Sequence, residues 1–270
     1  MILSNFHTHA IYCDGHSSIT EYIDAALALG FRSLGFSGHG FVPFNGLFAG
    51  MTPDSARVYR DAVIGAKIAF AGRLNIFYGL ENDSVYMHDP SDYDYTIGSV
   101  HCIKCGGKYY SVDSKEETVA GVINSEFDGD GIAFAVAYFD AVTDFASVRR
   151  ADILGHMDLA RRFNGRGFFD EKDARYRRAA LKTLETAVCS GYIVEVSTSP
   201  LSKGISEEFY PSDFLIEAAA EMGAKILVSS DAHYAVNLNY AFDKAETVLL
   251  AKGFKERWEL TPDGFEPVAI

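Results

Sequence analysis

Histidines and carboxylates gather at the ends of predicted strands, and this pattern is the sequence feature that most directly indicates chemistry. The chain has eight histidines, and all but one of them stand at or soon after the end of a short apolar run. The exception is His88, which follows no strand and is expected in a surface loop. The side chains at the strand ends are His7, His9, His16, His39, Glu81, His101, His156, Glu195, Asp231 and His233.

Such a concentration of titratable groups requires a counter-charge. In parallel α/β folds the carboxyl ends of the strands meet on one face, so these side chains should point into one space. Without compensation the groups would repel one another and lose their hydration at a large free-energy cost. A bound cation removes that problem, and neutral imidazole together with carboxylate suits zinc, manganese or iron. Because the donors exceed what one tetrahedral ion can use, the pattern predicts at least two metals.

The elements that must position these side chains alternate along the chain. Short β-type runs are separated by amphipathic helical stretches, which favours a parallel sheet with crossover helices. The predicted strands are Ile2–Phe6, Ser33–Ser37, Leu74–Leu80, Tyr95–Val100, Ile153–Gly155, Tyr192–Val196 and Lys225–Ser230. The predicted helices cover 20–29, 53–70, 115–125, 131–148, 172–189, 212–222 and 238–252. Seven strands favour closure into a barrel over an open sheet.

Length and composition limit the classes of function. The 270 residues are 48% hydrophobic, which suffices for a full core, and no shift in composition marks a domain boundary. We therefore expect a single barrel domain over residues 1–270. The formal net charge of −13 argues against a nucleic-acid polymer or an anionic membrane as a partner. No apolar run approaches the ~20 residues of a membrane span, and no signal peptide or disulfide scaffold is visible, so a cytoplasmic location is expected.

The order of these residues resembles the polymerase and histidinol phosphatase (PHP) family. The resemblance runs from residue 4 to residue 233 and implies a distorted (β/α)7 barrel, similar to a TIM barrel, with the metal site at the C-terminal ends of the strands. It also implies three divalent metal ions, which could be Zn, Fe or Mn. The motifs that carry it are His7-Thr8-His9, His16, His39, Glu81, His101, His156 and Ser230-Asp231-Ala232-His233.

The resemblance also implies which residues hold each ion. The first ion would be held by His7, His9, Glu81 and Asp231. Glu81 would bridge to the second ion, which His101 and His156 complete. The third ion would be held by His16, His39 and His233. Asn5 stands where the family often has an acid, and we expect it to tune the neighbouring histidine.

Within the family the chain is similar to the histidinol-phosphate phosphatase branch. That likeness implies substrate phosphate bound by Arg161 or Arg162, and by Lys203, where the branch usually has an arginine. Phe41, Phe44 and Phe48 could wall an imidazole-like leaving group or simply pack on the barrel rim.

The implied activity is that of a metal-dependent phosphomonoesterase. A hydroxide shared by two metals would attack L-histidinol phosphate, a step of histidine biosynthesis, and release L-histidinol and phosphate. The catalytic residues predicted are Asp231, which would move the proton, Glu81 and His233. The expected partner is a small phosphorylated metabolite, and the oligomeric state stays open. Two alternatives remain: a PHP phosphoesterase acting on nucleotides or another small phosphoester, and a catalytically silent metal-binding module.

Overall fold

A computed structural model describes residues 1–43 and 50–270. Seven of its strands form the main parallel sheet: β1 (Ser4–Asn5), β2 (Ser33–Phe36), β3 (Asn75–Asp83), β4 (Tyr95–Ser99), β7 (Ile153–Leu154), β8 (Ile193–Ser197) and β9 (Ile226–Ser229). Two hairpins are added, β5 (Cys102–Cys105) with β6 (Lys108–Ser111), and β10 (Glu256–Thr261) with β11 (Gly264–Ala269). The helices are α1 (Ile19–Ala28), α2 (Pro53–Ala69), α3 (Glu116–Glu126), α4 (Gly131–Ala146), α5 (Ala174–Cys189), α6 (Ser199–Ser202), α7 (Asp213–Glu221) and α8 (Phe242–Ala251).

The parallel strands follow one another in space in the order in which they occur along the chain, β1-β2-β3-β4-β7-β8-β9. The first and last strands then approach each other at their carboxyl ends. There the Ala232 N–H donates to the carbonyl of His7 at 3.1 Å, and the His9 N–H donates to the carbonyl of Ala232 at 2.8 Å. The sheet is therefore nearly closed, and the predicted (β/α)7 barrel is confirmed.

Local sequence signals explain the first crossover helix. The Ser18 side chain accepts from the Glu21 N–H and the Glu21 carboxylate accepts from the Ser18 N–H, which is a capping box. The helix ends before Gly30, whose φ of +73° suits a residue without a side chain. The neighbouring strands β1 and β2 are consequently joined by a compact connection.

Apolar side chains fill the interior of the barrel. Tyr95 belongs to this interior cluster and donates its hydroxyl hydrogen to the carbonyl of Phe6 at 2.6 Å. A Cβ built on Gly35 would lie 2.4 Å from the Tyr95 hydroxyl, and one on Gly79 would lie 2.3 Å from its ring, so both strands need glycine there. Because this interior is filled, the polar side chains can converge only above it, at the carboxyl ends of the strands.

The β10–β11 hairpin covers the opposite end of the barrel. Leu260 joins the interior apolar cluster, and Trp258 and Phe265 pack against it. Glu259 is buried, accepts from the Ser4 hydroxyl at 2.7 Å and forms an ion pair with Arg257. These two strands were not predicted, although Pro262-Asp263-Gly264 is a turn signal between two extended runs.

The other differences from the predicted elements are small. The β5–β6 hairpin was not predicted, and β1 and β7 are only two residues long. The last helix begins at Phe242 instead of residue 238, because a 3-10 turn at Ala235–Asn237 precedes it. Among the described residues no helix has the length and apolar character needed to cross a membrane.

Candidate metal centre

The carboxylate of Glu81 lies in the middle of the polar cluster at the carboxyl end of the barrel. β3 spans nine residues and carries Glu81 into this cluster, where the residue is only 1% exposed. Neither carboxylate oxygen accepts a hydrogen bond from the described residues. Imidazole nitrogens nevertheless surround both oxygens, and buried polar atoms left in this way call for a missing partner.

One set of donors surrounds the Oε2 atom of Glu81. This oxygen lies 3.2 Å from Nε2 of His7, 3.3 Å from Nε2 of His9 and 3.0 Å from Nδ1 of His39. Asp231 joins the set, since its Oδ1 is 3.2 Å from Nε2 of His9. The structure thus brings together all the residues predicted for the first ion.

A second set of donors faces the other oxygen of Glu81. Oε1 lies 3.1 Å from Nε2 of His156 and 3.5 Å from Nε2 of His101. Both histidines are buried. Glu81 therefore presents one oxygen to each predicted set, which is the geometry that a bridging carboxylate requires.

A third group of donors contains Asp14, which was not among the predicted ligands. The donor atoms of His9, Asp14, His39 and His233 all lie within 4.8 Å of one another. Oδ2 of Asp14 is 3.3 Å from Nε2 of His233 and 3.6 Å from Nε2 of His39. The other oxygen, Oδ1, is buried and accepts no hydrogen bond from the described residues.

His16, the predicted ligand of the third ion, is not part of this group. Its ring is exposed and stacks on Tyr234, with the ring centroids 4.5 Å apart. The turn at Gly15 explains the difference, because a Cβ there would lie 1.9 Å from the carbonyl oxygen of His9. The chain folds back at this glycine, with Asp14 among the donors and His16 on the wall of the cavity.

The electrostatics of the cluster favour a central positive charge. Burial opposes protonation of His7, but the carboxylates of Glu195, Glu81 and Asp231 outweigh it and raise the pKa of His7 to about 10. Burial alone would raise the pKa of Glu81, yet the imidazoles of His7, His39 and His101 hold it well below its ordinary value. Divalent cations would supply the positive charge that these side chains otherwise obtain from protons.

Buried donor atoms without hydrogen bonds show whether these side chains suit a metal ion. Nε2 of His7, Nε2 of His9 and both oxygens of Glu81 are buried without a hydrogen bond among the described residues, and they face one another. Imidazole nitrogen and carboxylate oxygen are donors that zinc, iron and manganese accept. The donor set therefore fits divalent metal ions.

Two buried carboxylates without a predicted role hold the outer nitrogens of the histidines. Glu195 Oε1 lies 2.5 Å from Nδ1 of His7, and Asp83 Oδ2 lies 2.8 Å from Nδ1 of His101. The sequence signal that could have identified them is their position near strand ends. Asp83 follows Glu81 by two residues, so both side chains lie on the same face of the strand. Asn5, by contrast, meets His7 through the backbone: its Oδ1 accepts from the His7 N–H at 3.0 Å, while its Nδ2 donates to the Ser230 hydroxyl at 2.6 Å and to the Leu238 carbonyl at 2.8 Å.

A cavity of about 630 Å³ opens above the donor cluster, and it is lined by two of the three predicted phosphate-binding residues. Arg162 and Lys203 line the cavity. Lys203 Nζ donates to Oδ2 of Asp231 at 2.9 Å, while Nε of Arg162 has no hydrogen bond to the described residues. Both cationic side chains are therefore placed to meet an anion.

Arg161 does not line the cavity, so of the two adjacent arginines offered for phosphate only Arg162 faces it. Its guanidinium donates to Glu171 Oε2 at 2.8 Å, Glu208 Oε2 at 2.8 Å and Asp158 Oδ2 at 3.2 Å. The side chain is 8% exposed. Three carboxylates thus pair with Arg161, which links the loop after β7 to the segments that carry Glu171 and Glu208.

Two further predictions concern His88, which follows β3, and the aromatic residues after β2. His88 is half-buried rather than at the surface, and its Nε2 lies 2.8 Å from the carbonyl oxygen of Phe41. This contact places His88 outside the donor cluster, as expected. Of the aromatic residues expected either to wall a leaving group or to pack on the barrel rim, Phe44 and Phe48 lie outside the described residues.

The fold and site together define a metal-binding α/β barrel whose donors come from the strand ends. The chain belongs to the PHP domain family: residues 5–199 match the PHP domain. The family resemblance drawn from the histidines and carboxylates is therefore confirmed.

Relatives and solved structures agree with this assignment. "Probable histidinol-phosphatase" from Deinococcus radiodurans is 28% identical over 261 residues, covering 90% of this chain and 91% of that protein. "Histidinol-phosphatase" from Bacillus subtilis is 25% identical over 260 residues, covering 88% and 96%. The histidinol phosphate phosphatase of Lactococcus lactis, solved with Zn, L-histidinol and phosphate, has a TM-score of 0.72 at 20% identity, covering 97% of this chain and 98% of that one.

Proposed function

We propose that this chain is a metal-dependent phosphomonoesterase that hydrolyses L-histidinol phosphate to L-histidinol and phosphate. One observation carries the proposal. Two donor sets that share Glu81 lie at one cavity, and the cationic side chains of Arg162 and Lys203 line the same cavity. The substrate is supported by relatives named histidinol-phosphatase that align with nine-tenths of this chain. A small phosphorylated metabolite is also the partner that a cavity of about 630 Å³ can enclose.

We infer three divalent ions of Zn, Fe or Mn, with one change from the ligands that the resemblance implies. The first would be held by His7, His9, Glu81 and Asp231, and the second by Glu81, His101 and His156. Asp14, His39 and His233 would hold the third, with Asp14 in place of His16. When bound, such ions activate water as a nucleophile near neutral pH and neutralise the charge of a phosphoester.

The chain's own residues bind and orient the phosphate. Arg162 offers a guanidinium without an ion pair to the described residues, so it can donate two parallel hydrogen bonds to phosphate oxygens. Lys203 adds a point charge next to Asp231. Together they fix the ester with its phosphorus facing the Glu81 cluster.

Asp231 is the residue that we propose to move the proton. Burial would raise its pKa, but Lys203, His233 and His7 hold the pKa of Asp231 well below its ordinary range. An ionised Asp231 can accept a proton from the attacking water, and its Oδ1 faces the donor cluster while Oδ2 faces Lys203. We propose that His233 supports this role by holding the backbone of Asp231, since its Nδ1 lies 3.0 Å from the Asp231 carbonyl oxygen, with Oδ1 3.5 Å away.

The organic part of the substrate would lie toward Asp113. This residue follows β6, lines the cavity outside the donor cluster and accepts from the Ser111 hydroxyl at 2.9 Å through one oxygen. In L-histidinol phosphate the ammonium group is on the carbon next to the ester methylene. The ammonium group would therefore lie close to the phosphate. Asp113 lines the same cavity as Arg162 and offers a carboxylate with which the ammonium group can pair.

The experiment that tests the function is steady-state phosphate release by the metal-reconstituted protein. L-histidinol phosphate is compared with p-nitrophenyl phosphate and a 3′,5′-nucleoside bisphosphate, with His9→Ala as the control. We expect a kcat/KM of at least about 10⁴ M⁻¹s⁻¹ for histidinol phosphate alone, lost in the control. Equal, weak turnover of all three would refute the substrate, and bound metal without any turnover would favour the silent module.

We also propose that residues 1–270 form one PHP-type barrel domain. The match to the family ends at residue 199, but β9 lies beyond it, pairs with β8 and leads directly to Asp231 and His233. The β10–β11 hairpin then packs on the base of the same barrel. Limited proteolysis tests this proposal, because one domain predicts no stable fragment that ends near residue 199.

A further inference from the structure

The carboxylate of Glu195 joins three strand ends inside the barrel. It is fully buried in the middle of β8. Its Oε1 lies 2.5 Å from Nδ1 of His7 and accepts from the Ser229 hydroxyl at 2.6 Å. Its Oε2 accepts from the backbone N–H of His156 at 2.6 Å. All three partners are donors, and two of them belong to residues of the metal centre.

We propose that Glu195 is a positioning residue that fixes the tautomer of His7 and couples the two donor sets that share Glu81. A carboxylate can only accept, so Nδ1 of a neutral His7 must carry the hydrogen and Nε2 must carry the lone pair. Nε2 is the atom that faces Glu81, at 3.2 Å. The inference rests on the metal centre of the proposed function, but not on its substrate.

The second oxygen of Glu195 extends this control to the other donor set. His156 belongs to the set around Oε1 of Glu81, and its backbone is tied to Glu195 Oε2. One carboxylate therefore fixes the positions of His7, two residues after β1, and of His156, two residues after β7. Since the two histidines approach opposite oxygens of Glu81, Glu195 holds the spacing between the two sets.

An amide at this position could not serve all three donors. A glutamine that turns its oxygen to His7 and Ser229 points its NH₂ at the His156 N–H, so two buried donors face each other. A glutamine turned the other way points its NH₂ at Nδ1 of His7. Nδ1 must then accept, the hydrogen moves to Nε2, and the lone pair facing Glu81 is lost.

The test compares Glu195→Gln with Glu259→Gln. Glu259 is also a buried carboxylate of the barrel, but it lies at the opposite end beside Ser4 and Arg257, so it controls for general destabilisation. Zinc content per chain, and the rate of zinc release to a chromogenic chelator, are measured on full-length protein. We expect Glu195→Gln to weaken zinc binding about 10- to 100-fold, and Glu259→Gln to leave zinc binding unchanged.

A spectroscopic readout isolates the tautomer. In zinc-loaded protein labelled with ¹⁵N-histidine, the His7 signals, assigned by their loss in His7→Gln, should show hydrogen on Nδ1 and metal on Nε2. Glu195→Gln should abolish this pattern at His7. Unchanged zinc release and an unchanged His7 spectrum would overturn the proposal, as would equal zinc loss in Glu259→Gln.

Ser229→Ala keeps the proposal falsifiable if Glu195→Gln does not fold. It removes one hydrogen bond to Oε1 and leaves the carboxylate in place. We expect zinc release to accelerate a few-fold, and no change would contradict the proposal. Zinc loss in Glu195→Gln, beside a wild-type protein that binds zinc but does not hydrolyse histidinol phosphate, would uphold this inference while refuting the proposed substrate.

Discussion

Asp14, rather than His16, should be the ligand that the loop after β1 supplies to the third ion. Asp14 places one oxygen 3.3 Å from Nε2 of His233 and 3.6 Å from Nε2 of His39. The His16 ring is stacked on Tyr234 instead. Asp14→Asn removes the negative charge at constant size, and His16→Gln removes the imidazole while keeping a polar side chain. The two variants lie two positions apart on one loop and are matched controls for each other.

The expected magnitude follows from the kind of interaction that each substitution removes. Removing an outer hydrogen-bond partner typically lowers metal affinity 10- to 100-fold, so removing a charged ligand should cost at least about 100-fold, or ~2.8 kcal/mol. His16→Gln should change metal affinity less than about threefold, or ~0.7 kcal/mol, since the His16 ring stacks on Tyr234 and lies outside the donor group of the third ion.

Metal content measured by mass spectrometry after gel filtration distinguishes the two assignments. We expect about three ions per chain in the wild type and in His16→Gln, and about two in Asp14→Asn. The two ions that remain in Asp14→Asn should be those of the sets that share Glu81. If His16→Gln loses an ion while Asp14→Asn keeps all three, the geometric reasoning is refuted and the assignment drawn from the family resemblance is right.

Three further predictions concern the cavity and the barrel. Asp113→Asn should raise KM for histidinol phosphate about tenfold, the equivalent of ~1.4 kcal/mol, and leave p-nitrophenyl phosphate turnover unchanged; an equal effect on both esters would exclude an ammonium contact. Arg162→Gln should lower kcat/KM about 100-fold at unchanged Tm, whereas Arg161→Gln should lower stability by about 3 kcal/mol through its buried ion pair; thermal melts and phosphate release would expose a reversal of the two roles. Leu260→Ala should lower the free energy of unfolding by about 2–4 kcal/mol in urea titrations with no loss of metal, and metal loss there would contradict the separation of the two barrel ends.

The strand-end donors could be predicted because parallel strands leave little freedom at their ends. Once strands are assigned from apolar runs, the residues that follow them must converge on one face, and the β3 residue Glu81 took the central position that this rule gives it. The outer partner Glu195 was visible at a strand end as well. Its role was not, because only the near-closure of the barrel, which brings the end of β1 close to the last strands of the sheet, shows that Glu195 meets His7.

The roles of loop residues could not be predicted in the same way. Asp14 and His16 differ by two positions, and the direction of the chain at Gly15 decides which one enters the cluster. Arg161 and Arg162 are adjacent, and the choice between them depends on Glu171 and Glu208, which lie 10 and 47 residues further along the chain. Contacts at such separations are set by tertiary packing, which local patterns do not encode.

Metal binding and substrate recognition depend on different parts of the fold, the first on strands and the second on loops. The donors around Glu81 stand on or directly after strands whose interior packing is fixed by Tyr95 and its glycines. Arg162, Lys203 and Asp113, which would contact the phosphate and the ammonium group, all stand on connections that follow the strands. Loops tolerate substitution better than barrel strands, so substrate preference can change by loop substitution while the metal centre persists. A change of the three loop residues should accordingly alter which phosphoester is hydrolysed before it alters how many ions are bound.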